Sequence, residues 1–358
     1  MSFPSPFLSR RWQRLAAHGF PQQQIRRFRQ FLRKTHHALL QRTNPRLFAR
    51  ELGWSEAYTL DFLTAAVAEG ICALEWEAYC PVCGDLLQRA RHLEQLHSHL
   101  RCESCHNETD LLLDEEVTPR VSLRRLFPPP GDTAARRSDL DAALGRLPAV
   151  AWVSRPLFRQ LLGEEVLPPN RSLGIGHLAV FFSDLKESTR LYRSLGDARA
   201  YALVRRHFAL IEAEVENEGG SVVKTIGDGM MGVFTDNARA LRAMLRSVQA
   251  IHRLNEEEEL ETQERLRLKV GLHAGPCIIV TLNRRLDYFG STVNIAARLS
   301  GIADGDEILV SDSLLDHAET QKIIAPYHCR EEREVALRGL EKAVNICRLK
   351  PLTATGAG

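Results

Sequence analysis

The chain has 358 residues, 44% hydrophobic and 26% charged, with a formal net charge of +2. That length exceeds one ordinary domain and the balance is that of a globular protein, so two domains with a connector are expected. No apolar run approaches the roughly 18 residues that span a bilayer. Arginines interrupt the N-terminal apolar residues, so no signal peptide is expected and the expected location is cytoplasmic. The eight cysteines are then expected as thiols or metal ligands rather than disulfides.

The near-neutral total hides an asymmetry. The first fifty residues carry Arg10, Arg11, Arg14, Arg26, Arg27, Arg29, Arg33, Lys34, Arg42, Arg46 and Arg50, and no Asp or Glu. Such a block reads either as a surface for an anionic partner or as a face docked on the protein's own acidic region. Between Pro21 and Gln41, the residues Ile25, Phe28, Phe31, Leu32, Leu39 and Leu40 form one helical stripe, with arginines on the other faces. Asn44-Pro45 opens a short helix ending near Gly53. Ser55 caps a second helix through Ala68, closed by Gly70, and Ile71–Trp76 reads as a strand. Helix, turn, helix, strand is the order of a winged helix, so residues 1–126 are expected to form a mainly helical, winged-helix-like module.

Cys80-Pro-Val-Cys83 and Cys102-Glu-Ser-Cys105 are two CxxC pairs separated by 18 residues. Each pair can chelate one ion while the knuckle amides hydrogen-bond the sulfurs, and this separation is that of a tetrahedral structural Zn²⁺ site, a zinc ribbon over 80–105. The alternatives are a redox site, or replacement of one thiol by His92, His97, His99 or His106. Cys72, Cys277, Cys329 and Cys347 lack such pairing and are expected as small buried hydrophobes.

Phe127-Pro-Pro-Pro-Gly131 marks a linker. A helical connector over Ser138–Leu162 and a break at Pro168-Pro169-Asn170 complete a joining segment, 127–174, before the last domain, 175–350. There, strands and helices alternate. The pattern predicts a strand over His177–Asp184, a helix over Ala198–Gly219, a hairpin of Ser221–Ile226 with Met230–Thr235, and a helix over Asn237–Leu254. Strands over Arg265–Ala274 and Cys277–Thr281 follow, then a helix from Thr292 and strands near Ile308 and Val335–Leu337. A strand–helix unit leading into a hairpin points to an α+β or α/β sandwich with a mixed or antiparallel sheet.

Asp184 ends the apolar run Leu178-Ala-Val-Phe-Phe-Ser-Asp, where a charge is either exposed at the sheet rim or serving as a ligand. Asp228 lies between Gly227 and Gly229 at the tip of the hairpin; taken alone it reads as a turn residue, since Asp beside Gly is common there. Neighbouring strands lie about 4.8 Å apart, so the two acids face a common space if their strands are adjacent. Two metals about 3.5–4 Å apart need shared carboxylates of this kind for in-line phosphoryl chemistry. Asn294 and Arg298 are four apart and share one helix face. An amide and a guanidinium there suit charge developing on a transferring phosphorus.

The segments Phe181-Phe-Ser-Asp-Leu-Lys-Glu-Ser-Thr189, Val223-Lys-Thr-Ile-Gly-Asp-Gly-Met230, Val270-Gly-Leu-His-Ala-Gly275 and Asp287-Tyr-Phe-Gly-Ser-Thr-Val-Asn-Ile-Ala-Ala-Arg298 resemble, in order, the successive motifs of class III adenylyl/guanylyl cyclases. The resemblance implies a ferredoxin-like core with a two-metal site at the interface of a head-to-tail homodimer. It implies Asp184 and Asp228 as ligands of two Mg²⁺ or Mn²⁺, helped by the carbonyl of Leu185. It makes Lys224 and Asp287 the readers of the purine, and Asn294 and Arg298 the pair that orients the ribose and stabilises the transition state. Arg338 falls where the family places a phosphate-binding Lys. In that dimer the metal acids come from one subunit and the other residues from its partner, so a homodimer has two equivalent sites.

The purine follows from hydrogen bonding. Adenine offers an N6 donor and an N1 acceptor, and guanine reverses both. Asp287 as acceptor and Lys224 as donor complement adenine, and the buried mismatch with guanine can be worth roughly 10⁴-fold. Two residues depart from the family pattern. Glu187 stands where Gly is common, in the loop expected to pass near the triphosphate, and Arg338 keeps the charge of Lys with another geometry.

From Thr43-Asn-Pro through Trp76 to the second CxxC, the chain is similar to the N-terminal region of a group of bacterial cyclases in which a zinc-ribbon-like module precedes a class III catalytic domain. Arg155-Pro-Leu-Phe-Arg-Gln-Leu161 resembles their helical lead-in. The expectation is an adenylate cyclase that converts ATP to 3′,5′-cyclic AMP and pyrophosphate, regulated by a protein or ligand at its N-terminal module. The alternative is a nucleic-acid-binding regulator with a degenerate cyclase domain. It draws on the basic block, against which stands the core face of Ile25, Phe28, Phe31 and Leu32, since arginines opposite a core face are ordinarily just solvated. A peripheral membrane helix would need exposed aromatic anchors, which are few.

Overall fold

The computed structural model describes residues 6–123, 134–162, 167, 172–282, 285–337 and 343–350. By contacts the chain divides into two compact units, Met1–Ile175 with Ile279–Asp287, and Gly176–Ile278 with Tyr288–Gly358. Among the described residues no helix is long and apolar enough to cross a membrane.

The first unit opens with four helices, α1 (Pro6–Ala17), α2 (Gln22–Lys34), α3 (Arg46–Leu52) and α4 (Glu56–Ala68). Ile25, Phe28 and Leu32 are the buried residues of α2, and the Phe28 ring lies 4.9 Å from Phe62 and 5.6 Å from Phe48. The stripe read from the sequence is therefore a core face. The helix is shorter than that stripe, because Thr35 turns extended and returns its amide to the Phe31 carbonyl; Leu39 and Leu40 follow in a 3₁₀ turn. Ser55 caps α4, its Oγ accepting from the Tyr58 amide at 3.2 Å.

Strands β1 (Cys72–Tyr79), β2 (Leu86–Ala90), β3 (His99–Arg101), β4 (Glu108–Asp110) and β5 (Val117–Leu123) follow. They form an antiparallel sheet ordered β2–β1–β5 and a separate β3–β4 ribbon. The connector expected as one helical stretch is three helices, α5 (Ala134–Leu144), α6 (Ala149–Val153) and α7 (Pro156–Leu161). Pro148 and Pro156 lack the amide that a continuous helix would require. Two contacts hold the connector on α4: Trp152 Nε1 donates to Thr64 Oγ1 at 2.7 Å, and Arg155 clamps the Asp61 carboxylate at 2.5 and 2.6 Å. A third holds α5, where the buried Arg120 guanidinium reaches Asp141 at 2.5 Å and Glu77 at 2.8 Å.

The remaining elements are β6 (Leu173–Leu185), α8 (Ser188–Leu195), α9 (Asp197–Asn217), β7 (Ser221–Ile226), β8 (Gly229–Phe234), α10 (Asn237–Glu257), β9 (Leu268–Leu282), β10 (Arg285–Phe289), α11 (Ser291–Ile302), β11 (Glu307–Ser311), α12 (Asp312–Leu315), α13 (Ala318–Ile324), β12 (His328–Val335) and β13 (Val344–Lys350). The sheet is ordered β12–β13–β11–β9–β6–β8–β7, with β10 paired to β9. It is mixed, as expected: β9 and β11 are parallel, whereas β6–β8, β7–β8, β11–β13 and β12–β13 are antiparallel.

In the second unit, one face of the sheet buries Phe181, Met230, Val270 and Val310 with Ile211 and Val215 of α9 and Leu241, Met244 and Val248 of α10. A smaller cluster places Leu299 of α11 with Leu309 and Ile346. This is the α+β sandwich with a mixed sheet that the sequence pattern predicts.

Two further expectations are corrected. The strands read separately at Arg265–Ala274 and Cys277–Thr281 are one strand, β9; Gly275-Pro276 does not break it, and the Pro276 carbonyl accepts from Thr292 Oγ1 at 2.5 Å. Cys329 and Cys347, expected as isolated thiols, are joined in a disulfide with a Cα–Cα distance of 5.8 Å. The register pairs Cys329 with Leu349 and Glu331 with Cys347, which sets the two cysteines diagonally on one face of β12–β13.

Candidate active site

Pairing of β6 with β8 brings Asp184 and Asp228 together. Ser183 lies opposite Met230, and across the hairpin Ile226 lies opposite Gly229. The two-residue loop Gly227-Asp228 therefore sits beside the end of β6. Gly227 has a φ of 64°, the left-handed first position that a two-residue hairpin turn asks of glycine. Gly229 is required for space, since a Cβ there would lie 2.6 Å from the Ser183 carbonyl oxygen and 3.5 Å from Asp184 Oδ1. One glycine makes the turn and the other lets the hairpin close against Asp184.

Asp228 Oδ2 is buried and has no hydrogen-bond partner. A carboxylate oxygen left so is costly unless a cation takes it. With Asp184 alongside, and the backbone of Leu185 following at the strand end, the donor set is hard oxygen and fits a divalent cation of the Mg²⁺ or Mn²⁺ kind.

Sequence reasoning missed Lys269. It lies on β9, the neighbour of β6, and its Nζ is 2.6 Å from Asp184 Oδ2. The available signal was its place immediately before Val270-Gly-Leu-His-Ala-Gly275, but only the sheet order reveals its partner. His207 of α9 was also missed. It is fully buried, with Nδ1 2.8 Å from the Val204 carbonyl and Nε2 unpartnered. Burial pushes its pKa down, against the Val204 carbonyl and the charges of Asp228 and Asp184, which raise it.

The third motif is structural. A Cβ on Gly271 would lie 2.1 Å from the Ser300 amide nitrogen, so the backbone of α11 rests directly on β9. His273 packs beneath, its Nδ1 2.7 Å from Ser311 Oγ; burial, then the nearby His177, push its pKa down to about 4. The helix so seated carries Asn294 exposed and Arg298 half-buried, with Arg298 Nη1 buried and unpartnered. Lys224 is half-buried on β7, opposite Met231. Asp287 is 6% exposed on β10, in the stretch that clusters with the first unit. Arg338 lies outside the described residues.

Glu187 occupies the left-handed region, with a φ of 58°. That explains why glycine is common at this position, because a side chain there is strained. Its carboxylate is 59% exposed and meets Arg190 Nη1 at 3.5 Å.

In the first unit the Sγ atoms of Cys80, Cys83, Cys102 and Cys105 all lie within 4.8 Å of one another. Cys80 and Cys105 are 3.6 Å apart, and Cys83 and Cys102 are 3.5 Å apart. Four thiolates around one ion at about 2.3 Å have sulfurs about 3.8 Å apart, so the cluster fits a tetrahedral metal. The two knuckles share one backbone pattern. Gly84 N bonds the Cys80 carbonyl and Cys80 N the Asp85 carbonyl, just as His106 N bonds Cys102 and Cys102 N bonds Asn107. Gly84 and His106 both have positive φ, 76° and 59°, so His106 serves the turn. The Cys83 amide, against desolvation and with the Val82 amide, holds the Cys80 thiol down to about 7.

A family model described as the adenylate and guanylate cyclase catalytic domain matches residues 172–349, and a family of unknown function (DUF5939) matches residues 15–125. Adenylate cyclase 2 of Rhizobium meliloti is 30% identical over 249 residues, 62% of this chain and 67% of that protein. An adenylate cyclase of Mycosarcoma maydis is 33% identical over 43% of this chain, and one of Anabaena cylindrica 23% identical over 48%. The chain spans 7% and 36%, respectively, of the length of those two relatives. Of solved structures, the adenylyl cyclase CyaB from P. aeruginosa is similar over 51% of this chain and 98% of its own, at 24% identity and a TM-score of 0.42. The chain belongs to the family of proteins with an adenylate and guanylate cyclase catalytic domain.

Proposed function

We propose that the protein is an adenylate cyclase, closing ATP to 3′,5′-cyclic AMP with release of pyrophosphate, in a homodimer regulated through its N-terminal unit. The observation that carries this reading is the juxtaposition of Asp184 and Asp228, with a buried, donorless Oδ2 on Asp228. Those carboxylates would hold two divalent cations, which would supply positive charge to the ribose 3′-hydroxyl and the leaving pyrophosphate. The bond formed joins O3′ to the α-phosphorus, the bond broken joins that phosphorus to the bridging oxygen of the β-phosphate, which leaves with the pyrophosphate, and the 3′-hydroxyl proton passes to water.

The protein's share is placement. Asp184 and Asp228, with the Leu185 carbonyl, would hold the cations beside the reacting phosphate. Asn294 and Arg298, supplied by the partner subunit, orient the ribose and meet charge developing on the phosphorus. The buried, unpartnered Nη1 of Arg298 supports that role. Exposed Ile226 and Ile302, at 54% and 43%, are apolar surface that a second subunit would cover. Asp287 accepts from adenine N6 and Lys224 donates to N1, and Arg338 is assigned to phosphate. The cysteine cluster is assigned a structural Zn²⁺.

Substrate choice tests the reading. Purified protein with Mn²⁺ should form cyclic product from ATP in clear preference to GTP, and Lys224→Glu with Asp287→Cys should move the preference toward GTP. Equal use of both purines by the parent, or an unchanged ratio in the double variant, would contradict the assignment.

A further inference from the structure

The outward face of α2 is a second candidate site, independent of the cyclase reading. Its buried residues are Ile25, Phe28 and Leu32. The exposed residues are Gln22, Gln23, Arg26, Arg27, Gln30, Arg33 and Lys34. From Gln23 onward these recur at intervals of three and four, so they form one stripe. The stripe holds four cations and two amides, with no carboxylate on the helix.

What separates this face from an ordinary solvated one is the absence of counter-charges. Several other arginines of the unit are engaged. Arg14 pairs with Glu69, Arg46 with Glu56, Arg50 with Glu51, and Arg29 lies over the Trp12 ring. Among the described residues, Arg26, Arg27, Arg33 and Lys34 have no ion pair. The chain offers them no neighbour in sequence either, because the first acid is Glu51.

From these observations we infer that α2 is a docking surface for a nucleic-acid backbone. Residues 26 to 34 rise about 12 Å along the helix, and a nucleic-acid strand presents one phosphate per about 3.4 Å of axis. That stretch faces three or four phosphates of one strand, matching four cations. Three of the four are Arg, whose planar fork suits phosphate oxygens better than a point charge does. Gln23 and Gln30 add amide donors in the same line, able to bond phosphate or sugar. A lipid surface fits less well, because the aromatic side chains of α2 turn inward: Phe28 is buried, and Phe31 packs on Phe48 at 5.7 Å. The face has no apolar anchor to insert.

The test uses the intact chain and a fluorescent duplex of about 20 base pairs, read by anisotropy across a salt series. With four phosphates engaged, the slope of log K against log salt should be about −3.6. Arg26→Glu with Arg33→Glu should weaken binding at least tenfold at low salt and bring the slope below about half that value. The same charge change on the exposed Arg199 and Arg253, as Arg199→Glu with Arg253→Glu, should leave both readings near the parent. No binding at low salt, or equal loss from the two double variants, would overturn the inference. So would tighter binding to phosphatidylserine vesicles than to duplex, which would assign the face to a lipid surface.

Discussion

Lys269 Nζ lies 2.6 Å from Asp184 Oδ2. The ammonium engages Oδ2, while Oδ1 is the Asp184 oxygen that faces the hairpin, 3.5 Å from where a Cβ on Gly229 would lie. Lys269 so fixes the rotamer of Asp184 and offsets part of the repulsion between the two acids. Lys269→Gln should reduce cyclase turnover by about a hundredfold, the low end for loss of a single electrostatic contact, and Lys269→Arg should recover most of it. Equal loss in both variants, in steady-state kinetics on folded protein, would refute a charge role.

Glu187 carries strain that glycine would not. A left-handed non-glycine residue costs about 1–2 kcal/mol, and glycine returns part of that as unfolded-state entropy. Glu187→Gly should therefore be neutral or stabilising by up to about 1 kcal/mol in urea denaturation. A loss of stability would mean that the Arg190 contact outweighs the backbone term.

The cysteine cluster should hold one metal per chain. Cys102→Ser, or prolonged chelation, should remove that metal as read by mass spectrometry of the native protein. Either should also lower the melting temperature of the first unit by more than about 10 °C, because binding energy at such a site is folding energy. Retention of both metal and melting temperature in Cys102→Ser would contradict a tetrahedral thiolate site.

Acid should destabilise the second unit through His273. Its folded pKa is about 4 against 6.5 in the unfolded chain, so the unfolded state binds the proton first. This contribution is fully present above about pH 6.5 and is lost as pH falls toward 4. Between pH 7.5 and 5.5 it amounts to about 1.4 kcal/mol, and His207, shifted the same way, adds to it. His273→Gln should flatten that slope in denaturant titrations; an unchanged slope would assign the acid sensitivity elsewhere.

The sequence makes local geometry legible and leaves register hidden. Gly227-Asp228-Gly229 announces a hairpin with an acid at its tip, and Ser55 announces the start of α4, because each depends on a few consecutive residues. The Lys269–Asp184 pair is not legible, since it depends on which strand lies beside β6. The same holds for the Arg120–Asp141 pair, whose partners are 21 residues apart. Gly275-Pro276 reads as a strand break because both residues ordinarily interrupt strands, yet β9 runs through them. The Cys329–Cys347 bond follows from the diagonal register of β12 on β13, which no spacing in the chain reveals.

The central claim is that Asp184 and Asp228 hold the cations on which ATP is cyclised. Its most direct test is the formation of cyclic AMP and pyrophosphate from ATP with Mn²⁺ or Mg²⁺, comparing the parent with folded Asp228→Asn. The parent should yield both products in equal amounts, and Asp228→Asn should fall by at least about a hundredfold. Parent-level product from Asp228→Asn, or no cyclic AMP from the parent with either metal, would contradict it.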